Sequence, residues 1–316
     1  MGRPDASPVL IAGGDRDPNL RVLAQTLEER GTDVTFLQVG QEHHPWIAWD
    51  MASDRLVVDG EEIGPRAAFV RHDVFTHLAD GRPASSFRAA AWYTAVMGWV
   101  ASHPEVRVPN RASLFQATNK PYVLHLAREH GLAIPQTAIT NHLGGVEGLL
   151  PGPKIVKPIN GGGHTQRLAE VLEQTETRRD GVAAAPAIVQ TELVQPEVRV
   201  YGIGGTFLAF SMVTEDLDYR VRQSARVEPR AEVPEGLQDG LGRLMDRLGL
   251  DFAAADFKTD PETGRLAFLE INTGPMFAAF DQVSQGAVTR ALADFLESPT
   301  PPPHPRPAGR PGAPAP

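Results

Sequence analysis

The sequence predicts an α/β protein of more than one domain, and three observations carry that prediction. The chain opens as strand, helix, strand, the unit that builds a parallel sheet. Near its end, two apolar strands, FAAADFKT and GRLAFLEIN, face each other across a turn at Pro261–Gly264. At 316 residues it exceeds one small module and suits two domains or three small ones. With 41% hydrophobic and 22% charged residues, it can bury a sizeable core.

The first strand is the apolar run Val9–Ala12, ended by Gly13-Gly14. Leu20, Leu23, Ala24 and Leu27 recur at helical spacing, Gly31 stops the helix, and Val34–Val39 is the next strand. The glycine pair lacks the third, spaced glycine of a dinucleotide fingerprint. Arg55–Val58 and Glu62-Ile63 flank Asp59-Gly60, a two-residue hairpin signal. Ala67–Val70 is a short buried strand that runs into Arg71-His72-Asp73. Residues 85–101 form a helix whose Trp92, Val96, Met97 and Trp99 read as core. A helix from Lys120 to His130 is closed by Gly131. The segment PKIVKPINGGGHTQ is a strand running into a glycine-rich loop. Residues 187–213 hold further strands joined at Gly204-Gly205, EGLQDGLGRLMDRLGL is a helix, and GAVTRALADFL is the last helix. Residues 298–316 contain nine prolines and no large apolar side chain, so a disordered tail is expected there. No internal repeat is found.

Composition excludes several classes of function. The formal charge of −9 argues against nucleic-acid binding, which needs a net basic face. Without cysteine there is no disulfide, thiolate metal site or cysteine nucleophile. No apolar run is long enough to span a bilayer and the N-terminus has no signal-peptide pattern, so a cytoplasmic protein without a membrane partner is expected. Of the 30 basic residues only Lys120, Lys154, Lys157 and Lys258 are lysine. A lysine retained in so arginine-rich a chain is a candidate for work that needs a compact charge on a flexible stem, although chance is an even alternative for Lys154 and Lys258.

The chemistry-bearing residues are spread along the chain. Lys157 ends a strand just before Asn160 and the triplet Gly161, Gly162 and Gly163. Such a triplet lets backbone N–H groups approach phosphate oxygens, and a lysine neutralises them; a flexible surface turn is the equal alternative. It is no Walker loop, because no GK[ST] follows. Glu270 and Asn272 lie two apart on one strand and share a face, and Asp256 sits on the preceding strand, where antiparallel pairing brings it alongside. Two carboxylates and an amide oxygen make a hard-oxygen set suited to Mg²⁺. Glu197 and Arg199, again two apart, add an acid for sugar hydroxyls and a base for phosphate.

Lys120, Lys157, the glycine triplet, QTEL at 190–193, EVR at 197–199, DYR at 218–220, Asp256 and EIN at 270–272 together resemble the ATP-grasp ligases in order and spacing. The resemblance covers roughly residues 8–297 and is strongest to the branch holding the ribosomal-protein glutamate ligases and the graspetide synthetases, which crosslink ribosomal peptides. It implies an ATP-grasp fold: an N-terminal α/β substrate- or peptide-binding domain (1–105), a central lid (106–186) and a C-terminal metal-binding domain (187–297). It also implies roles. Lys120 and Lys157 contact nucleotide phosphates. Gln190, Thr191, Glu192 and Leu193 form the adenine hinge, and Glu197 binds ribose. Arg199 and Arg220 steady the transferring phosphoryl group. Asp256, Glu270 and Asn272 hold two Mg²⁺.

The implied activity is ATP-dependent carboxylate–amine ligation, giving an amide or ester through an acyl phosphate, on a peptide with an acidic side chain and an amine or hydroxyl acceptor. An asparagine-lysine pair opening the helix at 119–120 is typical of graspetide synthetases. The run Thr273-Gly274-Pro275 departs from their usual proline-asparagine-glycine and is more like ligases of free amino acids, the alternative reading. The oligomeric state stays open, with a homo-oligomer compatible.

Overall fold

In a computed structural model, residues 8–40, 44–75, 78, 80–113, 119–142, 145–146, 150–159, 164–174, 182–213, 226–234 and 236–298 are described. The chain divides into two compact units. One comprises residues up to 115, 249–252 and from 276 onward; the other comprises 116–248 and 253–275.

The first unit begins with β1 (Val9–Gly14), α1 (Pro18–Glu29) and β2 (Val34–Val39), the expected βαβ start. Asp17 caps α1 by accepting from the Asn19 backbone N–H at 2.8 Å. Next come β3 (Ile47–Asp50), β4 (Arg55–Val58), β5 (Glu61–Ile63) and β6 (Ala67–Val70). β2, β1 and β6 form a parallel sheet in that order, while β3–β4–β5 is a separate antiparallel meander. The predicted Asp59-Gly60 turn is present, with φ of 49° and 89°, the double left-handed geometry a two-residue hairpin demands. β3 is absent from the sequence reading. The helix expected over 85–101 is α2 (Pro83–Ser102), and its Val96, Trp99 and Val100 join Leu10, Leu37, Leu56 and Ala68 in one core, with Trp92 packed against it.

The second unit opens with α3 (Lys120–Glu129), then β7 (Thr137–His142), β8 (Lys154–Pro158), β9 (Gln166–Arg167), α4 (Leu168–Gln174) and β10 (Val182–Thr191). These strands form a sheet in the order β7-β10-β8-β9, with Val156, Leu168 and Val189 in its core. There follow β11 (Val194–Ile203), β12 (Thr206–Val213), β13 (Arg226–Pro229), α5 (Leu237–Leu248), β14 (Phe252–Thr259) and β15 (Leu266–Asn272). Their sheet runs β13-β12-β11-β14-β15, so β11 and β14 are neighbours although α5 separates them in sequence.

The chain returns to the first unit with α6 (Ala278–Val283) and α7 (Ala287–Glu297). Phe69, Phe252 and Phe277 meet edge to face there, with ring centroids about 6 Å apart. Asn110, held at φ 59°, accepts from the backbone of Asp251 and Phe252 and donates to the Phe252 carbonyl at 2.8 Å. Residues 106–113, assigned to the central part by sequence, thus pack within the first unit. No helix among the described residues is long and apolar enough to cross a membrane.

Candidate active site

Every predicted site residue in the described part of the chain belongs to the second unit. The β14–β15 register pairs Asp256 directly with Glu270, the neighbour expected from sequence, and Ala254 with Asn272. The register shifts beside this pair, leaving Leu269 as an extra residue between Phe268 and Glu270. Such a bulge re-aims the side chains that flank it.

Asp256 is buried, and its carboxylate is gripped at both oxygens by Arg199 of β11, at 2.7 and 2.8 Å. This is the fork geometry that only arginine offers. Asn272 Nδ2 donates to Asp256 Oδ2 at 3.4 Å. Glu270 is partly exposed and pairs with Lys120 Nζ at 3.2 Å. Lys120 is the first residue of α3, and Asn119 caps that helix by accepting from the Tyr122 backbone N–H at 3.0 Å. The asparagine-lysine pair therefore has a physical reading: the first residue sets the helix start and the second presents its cation there. A cation at this end opposes the helix dipole, so Lys120 is placed for an anion rather than for helix stability. Asn119→Ala is expected to lower stability by about 1 kcal/mol and to weaken nucleotide affinity with it. A denaturant midpoint and a titration on the same protein check both.

On the rung next to Arg199–Asp256, Glu197 of β11 pairs with Lys258 Nζ of β14 at 3.3 Å, and both are buried. Burial pushes the Glu197 carboxyl up, as does the charge of Asp256, while Lys258 and Arg199 hold it down. Sequence reasoning gave Lys258 no role. Its position two residues beyond Asp256, and the scarcity of lysine, were the available signals. Lys157, on β8, stands opposite Ile188 of β10. Dense surroundings push its ammonium down to about 8, with Lys120 and Lys258 acting in the same direction against Glu270 and Asp256.

The proposed hinge is ordered by its backbone: Thr191 N–H donates to Gln136 O at 3.0 Å and Glu192 N–H to Pro153 O at 2.8 Å. Glu192 also accepts from Arg167, and Leu193 is buried. Gln190 is fully buried, donates through Nε2 to Thr137 Oγ1 at 3.0 Å, and leaves its Oε1 without a partner among the described residues. A buried orphan acceptor beside a hinge fits a base that offers an N–H group. Gly161, Gly162, Gly163 and Arg220 lie outside the described residues, as do Asp218, Tyr219 and all of the tail beyond Ser298.

Among the described residues no three His, Cys, Asp or Glu side chains cluster as metal ligands, so a cation here would rest on two carboxylates and the Asn272 amide. That all-oxygen set fits Mg²⁺. Both carboxylates face cationic side chains, which offset the cost of holding their charge out of water.

No protein-family model matches the sequence, and no curated protein matches it. Solved structures do. A structure of the ATP-grasp ligase PsnB complexed with a minimal precursor is 25% identical, with a TM-score of 0.71 over 92% of this chain and 98% of that one. This is an ATP-grasp fold. Two further solved structures share the fold. The macrocyclase MdnC from Microcystis aeruginosa MRC, bound with precursor peptide MdnA, is 18% identical, with a TM-score of 0.71 over 92% of this chain and 99% of that one. A Chryseobacterium gregarium RiPP-associated ATP-grasp ligase, in complex with ADP and a leader and core peptide, is 17% identical, with a TM-score of 0.71 over 92% and 96%.

Proposed function

We propose that this chain is an ATP-dependent carboxylate–amine ligase that modifies a peptide, forming an amide or ester and releasing ADP and phosphate. The observation that carries the reading is the gathering of Lys120, Arg199, Asp256, Glu270 and Asn272 on adjacent elements of an ATP-grasp unit. The match to PsnB along nearly its whole length supports the peptide as substrate. The run Thr273–Pro275 supports the alternative, a ligase of free amino acids.

In this reading Lys120 and Lys157 bind phosphate oxygens, the glycine triplet at 161–163 closes over them, and residues 190–193 hold the adenine. The lid lies within residues 106–186, and the metal-binding part within 187–297. Asp256, Glu270 and Asn272 hold Mg²⁺, which neutralises phosphate charge when bound. A substrate carboxylate oxygen attacks the γ-phosphorus and ADP leaves, with Arg199 and Arg220 offering guanidinium groups to the transferring charge. An amine or hydroxyl then attacks the acyl carbon, phosphate leaves, and the nucleophile loses its proton. A closed lid keeps water from the acyl phosphate. The use of ATP supports a cytoplasmic setting.

Carboxylate-stimulated ADP release tests the reading. Peptides bearing acidic together with Thr, Ser or Lys side chains should stimulate it, and free amino acids should not. Stimulation by free amino acids alone would favour the alternative.

Lys157 gives a pH prediction. Its folded value of about 8 lies below the ordinary 10.5, so the unfolded chain holds the proton more tightly between those limits. Stability without nucleotide should therefore rise with pH across that window. Phosphate oxygens favour the charged ammonium, so ATP binding at about pH 9 should take up protons. Calorimetry in buffers of different ionisation enthalpy measures that uptake. Lys157→Ala should abolish it and weaken ATP binding by at least ~1.5 kcal/mol.

A further inference from the structure

The arginine-rich composition makes one buried lysine conspicuous. Lys258 and Glu197 face each other at 3.3 Å with side chains only 11% and 8% exposed, on the rung beside Arg199–Asp256. The two rungs are built differently. Arg199 spans Asp256 with its fork and engages both carboxylate oxygens. Lys258 brings a point charge to within 3.3 Å of Oε2 of Glu197. A carboxylate offers about four acceptor positions and no donor, so one ammonium leaves capacity on Glu197 for a hydroxyl donor. Burial works against the ionised carboxylate, and the ammonium offsets it.

We infer that Lys258 is a positioning residue that holds Glu197 as an acceptor for the sugar hydroxyls of the nucleotide, and so sets the preference for ribose over deoxyribose. The inference rests on the proposed reading of Glu197 as the ribose-binding acid. It explains why lysine stands here in a chain with 26 arginines: a guanidinium would take both oxygens, as Arg199 does on the neighbouring rung.

Binding of ATP, 2′-deoxy-ATP and 3′-deoxy-ATP to the full chain tests it. The wild type should prefer ATP over at least one deoxy analogue by ~10-fold or more, the scale of one hydrogen bond to a charged group. Lys258→Arg keeps the charge and should fold, yet it should reduce that preference to under ~3-fold because its fork competes for both oxygens. Lys258→Met should do the same; if it fails to fold, the arginine variant decides alone. A full preference retained by Lys258→Arg overturns the inference. A wild type with no preference at all overturns instead the assignment of ribose to Glu197, on which the inference depends.

Discussion

Glu270→Gln is expected to lower turnover by at least ~100-fold while leaving the fold in place, since a carboxylate on a metal–phosphate cluster is worth several kcal/mol. The substitution keeps shape and removes charge. Its partner in the structure, Lys120, is about a third exposed, and Glu270 about a quarter, so losing that pair costs the fold little. Melting temperature should therefore barely move. ADP release at near wild-type rate would remove Glu270 from the metal set.

Arg199→Met should have the largest effect on stability, a loss of about 3–5 kcal/mol. The guanidinium and the Asp256 carboxylate are each under a tenth exposed, so removing the cation strands a buried anion. The double variant Arg199→Met/Asp256→Leu should recover most of that stability, because an apolar pair needs no compensation. It should recover no activity. Denaturant midpoints for the wild type, the single and the double variant check the first statement, and ADP release checks the second. A single variant as stable as wild type would mean that Asp256 has another partner for its charge.

Much of this was legible in the chain, for reasons that differ residue by residue. The turn at Pro261–Gly264 fixes how β14 meets β15, so the pairing of Asp256 with Glu270 follows from local pattern. The start of α3 follows from the Asn119 cap and its stop from Gly131, whose φ of 85° suits glycine. β7 escaped because its residues are half-buried or exposed throughout, which leaves no apolar alternation to read. The partner of Asp256 was not legible either. Arg199 lies 57 residues away, and only the adjacency of β11 and β14 brings the two together. Arg199 read as a phosphate ligand from its motif; in the fold it also neutralises the buried Asp256 carboxylate. Lys258 was hidden for the same reason, since its meaning comes from Glu197 across that strand boundary.

In the proposed reaction a substrate carboxylate is phosphorylated by ATP before it is joined to its acceptor. A peptide whose acidic side chains carry heavy oxygen tests this directly, once it supports ADP release by this protein with Mg²⁺. Mass spectrometry of the phosphate released should find one labelled oxygen for each ADP formed, and the peptide should lose one molecule of water for each bond made. Phosphate without label, released in step with ADP, would mean that water and not the carboxylate attacks the nucleotide, and would contradict the ligase reading.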